Sequence, residues 1–363
     1  MDRRCCEWFL PRLVAKAIPL RPIPRNPIVN ILVFGKDGQL GKAFKAVFDT
    51  SKLGELHRIT YIGRTECDLA NIDALTTLLN QIKPNVIINA AAYTAVDKAE
   101  TEVDLAYAIN AKAPEAMAVY AKRHGATFLH YSTDYVFDGS KKTPYVESDV
   151  RNPLGIYGRS KAAGEVAIED VFKCEQNSLT ELNDTKLADL RGQYAIFRTS
   201  WVYGDGVNFI RTILRLAKER EILKVIADQY GVPTNATWLA EVSLALALDG
   251  HHQLKPFTSG VYHAVPLGET TWYALACYSV QAAINAGAVL KLRPEAIEAI
   301  PAVEYPLPAP RPMNSRMANS FLEAAFNDSL GDSSNMTKLQ LLKQSWEPQV
   351  DSYIQDLALQ KLI

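Results

Sequence analysis

Ile28-Val29-Asn30-Ile31-Leu32-Val33-Phe34 runs directly into Gly35-Lys36-Asp37-Gly38-Gln39-Leu40-Gly41, and this junction decides the fold. The first run is almost continuously apolar between Pro27 and Gly35, as expected of a strand buried on both faces of a parallel sheet. After the glycines, Ala43, Phe44, Val47 and Phe48 fall on one helical stripe. Glycines between a buried strand and a helix permit a tight turn and let the backbone approach a pyrophosphate, whose charge then rests on the helix N-terminal amides. Gly35, Gly38, Gln39, Leu40 and Gly41 are therefore the candidate diphosphate cradle of a dinucleotide site.

Outward from this turn, strand and helix patterns alternate. Strands are expected over 57–62, 86–89, 127–132 and 194–199, with helices over 73–81, 104–124 and 161–172. That spacing implies right-handed crossovers in a parallel sheet, an α/β fold of the Rossmann-like doubly wound kind. A smaller mixed α/β substrate lobe follows toward the C-terminus. We expect a dinucleotide-binding domain over 28–200, interrupted by a polar, aperiodic insertion over 174–192. Residues 201–345 form mainly the substrate lobe, partly interleaved with the sheet through a strand near 260–265. Residues 346–363 read as a C-terminal tail. Residues 1–27 interleave Arg with Pro and lack the apolar core of a signal peptide, so they read as an irregular extension.

At 363 residues the chain suits two cooperating domains or one large α/β domain, and 48% hydrophobic with 22% charged residues is an ordinary globular composition. Thirty-nine Lys and Arg against 40 Asp and Glu leave a formal charge of −1, without the basic footprint of a nucleic-acid binder, so no nucleic-acid partner is expected. The five cysteines are scattered and form no CxxC, which argues against a disulfide framework or structural zinc and fits a cytoplasmic location. No apolar stretch approaches the ~20 residues of a membrane helix, so no membrane partner is expected.

Chemistry concentrates at the ends of the expected strands. Tyr61-Ile62-Gly63-Arg64 puts a guanidinium where a carboxylate would hold the ribose hydroxyls of NAD. Arg64 can pair with a 2′-phosphate, so the cofactor expected is NADPH, with NADH as the alternative. Asp68 and Leu69 are placed to meet the adenine. Ala90, Ala91, Ala92 and Tyr93 follow the third strand, with small side chains where a cofactor passes close to the backbone. Tyr157 and Lys161 stand four apart on one helical face. Hydride reduction of a ketone leaves an oxygen that needs a proton, and a neighbouring ammonium lowers the proton affinity of a phenol able to supply it. Thr133 ends the fourth strand and can donate to the same carbonyl oxygen, and Asp134 can orient substrate hydroxyls or assist proton transfer.

The glycine spacing GxxGxxG resembles the short-chain dehydrogenase/reductase families. GKDGQLGKAF at 35–44, NAAAYTAVDKAE at 89–100, YSTDYVFDG at 131–139, NPLGIYGRSKAAGE at 152–165, RTSWVYG at 198–204, DQYGVPT at 228–234 and RPMNSRM at 311–317 together resemble the dTDP-4-dehydrorhamnose reductase family of extended short-chain reductases. The likeness covers most of 29–325. It implies reduction of the 4-keto group of dTDP-4-dehydro-β-L-rhamnose by NAD(P)H, with Thr133, Tyr157 and Lys161 catalytic. It also implies that Tyr135 and Trp201 lie against the sugar, where an aromatic plane suits a deoxysugar face. Some members of the family are magnesium-linked dimers, so a homodimer is one assembly the resemblance allows. No acidic ligand cluster can be assigned here, and Thr237 follows the GVPT block where an acidic side chain would ligate better, so no metal is expected. Nucleotide-sugar dehydratases carry a Glu where Tyr135 stands. The alternatives are another nucleotide-sugar reductase or epimerase, and a non-catalytic reading that resembles the regulatory beta subunit of methionine adenosyltransferase and is opposed by the intact Thr133, Tyr157 and Lys161.

Overall fold

A computed structural model describes residues 28–173, 192–327 and 335–363. The extension over 1–27 and the insertion up to residue 191 lie outside the described residues. The sheet contains β1 (Asn30–Phe34), β2 (Arg58–Ile62), β3 (Val86–Asn89), β4 (Thr127–Thr133), β5 (Gln193–Thr199) and a late strand, Gly260–His263. All pair in parallel, with the late strand outside β5 and the order continuing β4, β3, β1, β2. The direction of winding reverses between β1 and β3, and ligands of such sheets bind in the crevice outside the carboxyl ends of the strands at that reversal.

Burial on both faces follows from β1 itself. Ile31 and Val33 enter one core while Leu32 and Phe34 enter the opposite one. The first core is closed by α1 (Gln39–Thr50) and, much later in the chain, by the helix Ala236–Ala247, which packs against α1. The second is closed by α2 (Ile72–Ile82), α3 (Ala113–His124) and α4 (Ile156–Lys173). Asn71 caps α2 by accepting from Ala74 N–H at 3.0 Å, and Gly125, at φ 66°, ends α3 in the left-handed region.

The single helix expected over 104–124 is instead a helix at Val103–Tyr107, a wide π turn at Ala108–Lys112, and α3. Residue composition does not distinguish a π turn from the α-helix on either side of it, so the stretch reads as one helix. A smaller lobe gathers α5 (Phe209–Glu219), a two-stranded parallel pair formed by Leu223–Ile226 and Ile297–Ile300, and α6 (Trp272–Asn285) around a third core. Residues 346–363 are not a tail. Trp346–Leu359 is a helix whose Trp346, Val350, Ile354 and Leu357 are buried in this third core. Their spacing of three and four puts them on one helical stripe.

Candidate active site

A cleft of about 850 Å³ opens at the carboxyl ends of β1, β3 and β4 and runs into the smaller lobe. Gly35 turns the chain at φ +83°, and a side chain there would strike the backbone of Ala90 and Ala91. Gly41 supports the turn from behind: a Cβ would stand 2.0 Å from the Gly35 carbonyl oxygen. Gly38 precedes α1, and no side chain caps that helix. Its first amides thus face the cleft without a side-chain acceptor, an arrangement that fits a pyrophosphate. Gly35, Gly38, Gln39 and Leu40 line the cleft, as do Arg64, Asp68, Leu69 and the run from Ala90 to Tyr93. Gly41 does not line it. Gln39 also reaches across the cleft, accepting from Asn208 Nδ2 at 3.2 Å.

The Arg64 side chain is 77% exposed and lies 3.9 Å from Asp68. Beside it stands a pair that spacing did not suggest, Lys36 and Glu66. Glu66 also accepts the Gly63 N–H at 2.8 Å, and with Lys36 this holds its carboxyl down to about 2.

Tyr157, Lys161, Thr133, Asp134, Tyr135 and Trp201 line the same cleft. The helix carrying the Tyr/Lys pair begins at Ile156, earlier than its apolar pattern indicates, so Tyr157 sits in the first turn. Glu100 accepts the Ile156 N–H at 2.8 Å and steadies that end. Ser160, between the pair, receives a hydrogen bond from Asn110 at 3.0 Å, and Asn110 also binds both backbone groups of Tyr93. The π turn carries Asn110, which is why the cofactor-side loop and α4 are held together there.

The electrostatics correct one expectation. Burial pushes the Tyr157 phenol up to about 12, with the Thr133 hydroxyl pulling it down and the Asp134 carboxylate adding to the rise. Lys161 does not lower it here. Its Nζ donates to the Tyr131 carbonyl at 2.5 Å and lies 3.3 Å from His130 Nε2, and burial brings Lys161 down to about 8. A spacing of four fixes the shared helical face but not the direction in which a long side chain ends. Thr133 Oγ1 donates to Asp134 Oδ1 and accepts the Tyr135 N–H at 3.2 Å, so it shapes the turn after β4 as well as facing the cleft. Tyr135 meets Tyr157 edge-on, with centroids 5.4 Å apart.

Trp201, in the left-handed region at φ 49°, stacks on Trp272 with centroids 3.6 Å apart. Gly231 makes room for it: a Cβ there would lie 2.5 Å from the indole. Trp272 was missed in the sequence because nothing local marks a residue 71 positions away as a stacking partner. Asp97 and Arg311 were missed for the same reason; they pair through two contacts of 2.9 Å and tie the loop after β3 to the Pro-rich segment. Among the described residues no group of three or more His, Cys, Asp or Glu could hold a metal ion, and no helix is long and apolar enough to cross a membrane.

The sheet reversal, the uncapped glycine turn and the Tyr/Lys helix on one cleft define an oxidoreductase of the extended short-chain reductase class. The RmlD substrate binding domain family matches residues 29–343, and the chain belongs to this family, that of the dTDP-4-dehydrorhamnose reductases. The dTDP-4-dehydrorhamnose reductase of Escherichia coli K12 is 42% identical over 298 residues, spanning 80% of this chain and 89% of that protein. That of Burkholderia thailandensis is 39% identical, spanning 84% and 95%. Among solved structures, the Bacillus anthracis dTDP-4-dehydrorhamnose reductase in complex with NADP is 30% identical with a TM-score of 0.70, covering 91% of this chain and 100% of that one.

Proposed function

We propose that the protein reduces the 4-keto group of dTDP-4-dehydro-β-L-rhamnose to give dTDP-L-rhamnose, using NADPH and, less readily, NADH. The observation that carries this reading is that Thr133, Tyr157 and Lys161 share one cleft with the glycine turn. The Bacillus anthracis relative in complex with NADP supports the cofactor, and Arg64 at the mouth supports the preference for a 2′-phosphate. The uncapped start of α1 receives the pyrophosphate, and Asp68, Leu69 and the run Ala90 to Tyr93 flank the adenine and ribose side.

When bound, the reduced nicotinamide supplies the hydride. Tyr157 gives its phenolic proton to the carbonyl oxygen, and Thr133 donates a hydrogen bond to that oxygen. Lys161, one turn beyond Tyr157, holds the ribose hydroxyls, and the Thr133 hydroxyl is the group that lowers the phenol's proton affinity. Asp134 keeps Thr133 oriented through its Oδ1 and is the nearest carboxylate for the sugar hydroxyls. Tyr135 and Trp201 lie against the sugar ring. Residues 28–200 bind the dinucleotide and 201–345 mainly the sugar nucleotide. A homodimer and a cytoplasmic location belong to the same reading, to be checked by light scattering and cell fractionation.

Incubating purified protein with NADPH and the keto sugar, then identifying the sugar formed, tests the proposal. Cofactor binding without formation of dTDP-L-rhamnose would overturn it.

A further inference from the structure

Lys161 is held from behind by a hydrogen-bonded chain. His130, wholly buried on β4, lies with Nε2 3.3 Å from Lys161 Nζ and Nδ1 3.1 Å from Nδ2 of Asn89 at the end of β3. The Asn89 amide has one sensible orientation, because its Oδ1 accepts the Ala91 N–H at 3.3 Å and its NH2 group must then face His130. An amide NH2 only donates, so His130 Nδ1 carries the lone pair. Burial, and after it the charge on Lys161, keep the imidazole neutral. The ring proton therefore sits on Nε2 and points at Lys161. An N–H so directed makes a hydrogen bond to a free amine and opposes an ammonium.

We propose that His130, locked by Asn89 as the Nε2–H tautomer, is a positioning residue that opposes the ammonium form of Lys161 beside Tyr131 and thereby sets the pH above which cofactor affinity declines. This rests on the role assigned to Lys161 at the cofactor. The other groups around Lys161 act in either direction. On α4, Glu165 favours the ammonium, while its carboxylate is shared with Arg198 of β5 at 2.7 Å and Arg151 at 2.5 Å. Tyr157 and Asp134 line the same cleft. Of all these neighbours, only His130 presents a group whose polarity is set by a third residue. Because the ammonium grips the cofactor and takes its proton from solvent, NADPH affinity falls as pH rises through the region where Lys161 loses that proton.

Asn89→Asp replaces the donor facing Nδ1 with an acceptor, draws the ring proton to Nδ1 and turns a lone pair toward Lys161. The alkaline inflection of NADPH affinity, followed by fluorescence titration of the purified protein, then moves up by about one pH unit. His130→Phe keeps a ring, removes the opposing N–H and moves the inflection the same way by less. In 15N-histidine-labelled wild type, two-bond proton–nitrogen spectra show His130 protonated at Nε2, its signals assigned by their loss in His130→Phe. A ring protonated at Nδ1, or an inflection unmoved in both variants, overturns the inference. The reductase reading fails instead on the absence of keto-sugar turnover, so the two failures are read in different assays.

Discussion

Thr133 Oγ1 donates to Asp134 Oδ1 at 2.8 Å, and both residues are almost completely buried at the end of β4. The second Asp134 oxygen, Oδ2, is buried without a hydrogen-bond partner. Desolvation raises this carboxyl from 3.8 to about 6, against the pull of Ser315 and Thr133. The folded protein therefore binds that proton more tightly than the unfolded chain. Its stabilising contribution is complete below pH ~4 and is lost as pH rises through about 6. Asp134→Asn, which carries no charge, gains up to roughly 2–3 kcal/mol relative to wild type between pH 4 and 7. Thermal unfolding of the two proteins across that range checks it; a constant difference would show that the carboxylate is not desolvated.

Tyr157→Phe removes the proposed proton donor while keeping its ring against Tyr135. We expect turnover to fall by ~10²–10⁴-fold with the NADPH dissociation constant nearly unchanged. Steady-state kinetics beside a fluorescence titration separates the two, and turnover near wild type would rule out the phenol as the acid.

Two glycines make opposite predictions. Gly41→Ala drives a Cβ into the Gly35 carbonyl and should abolish cofactor binding by opening the turn. Gly231→Ala displaces Trp201 from its stack on Trp272 and should raise KM for the keto sugar with cofactor affinity retained. Isothermal titration with NADPH, paired with substrate kinetics, checks both, and similar cofactor affinities in the two variants would refute the assignment.

Arg64→Ala should weaken NADPH about tenfold and leave NADH nearly untouched, since one charge-assisted contact to a 2′-phosphate is worth about 1.5 kcal/mol. Equal losses for both cofactors would move that role to another residue, with Lys36 beside it the next to examine.

Turnover should persist after treatment with EDTA, because the proposed chemistry places the whole charge load on Tyr157, Thr133 and Lys161. Loss of activity restored by magnesium would contradict this.

Much of the scaffold was legible because burial writes itself locally. A continuous apolar run such as 28–34 demands cover on both faces, glycines at 35, 38 and 41 permit only a narrow set of turns, and a separation of four puts Tyr157 and Lys161 on one helical face. What packing alone decided were relationships between distant residues and the aim of long side chains: the Trp201–Trp272 stack, the Asp97–Arg311 bridge, and the π turn that brings Asn110 to Ser160. The terminal helix over 346–359 belongs with them, since its apolar stripe acquires a place only when α5 and α6 leave a groove to fill. Lys161 is the clearest case: its position on α4 follows from the helical period, but its turn toward Tyr131 and His130 follows from how closely β4 and α4 approach.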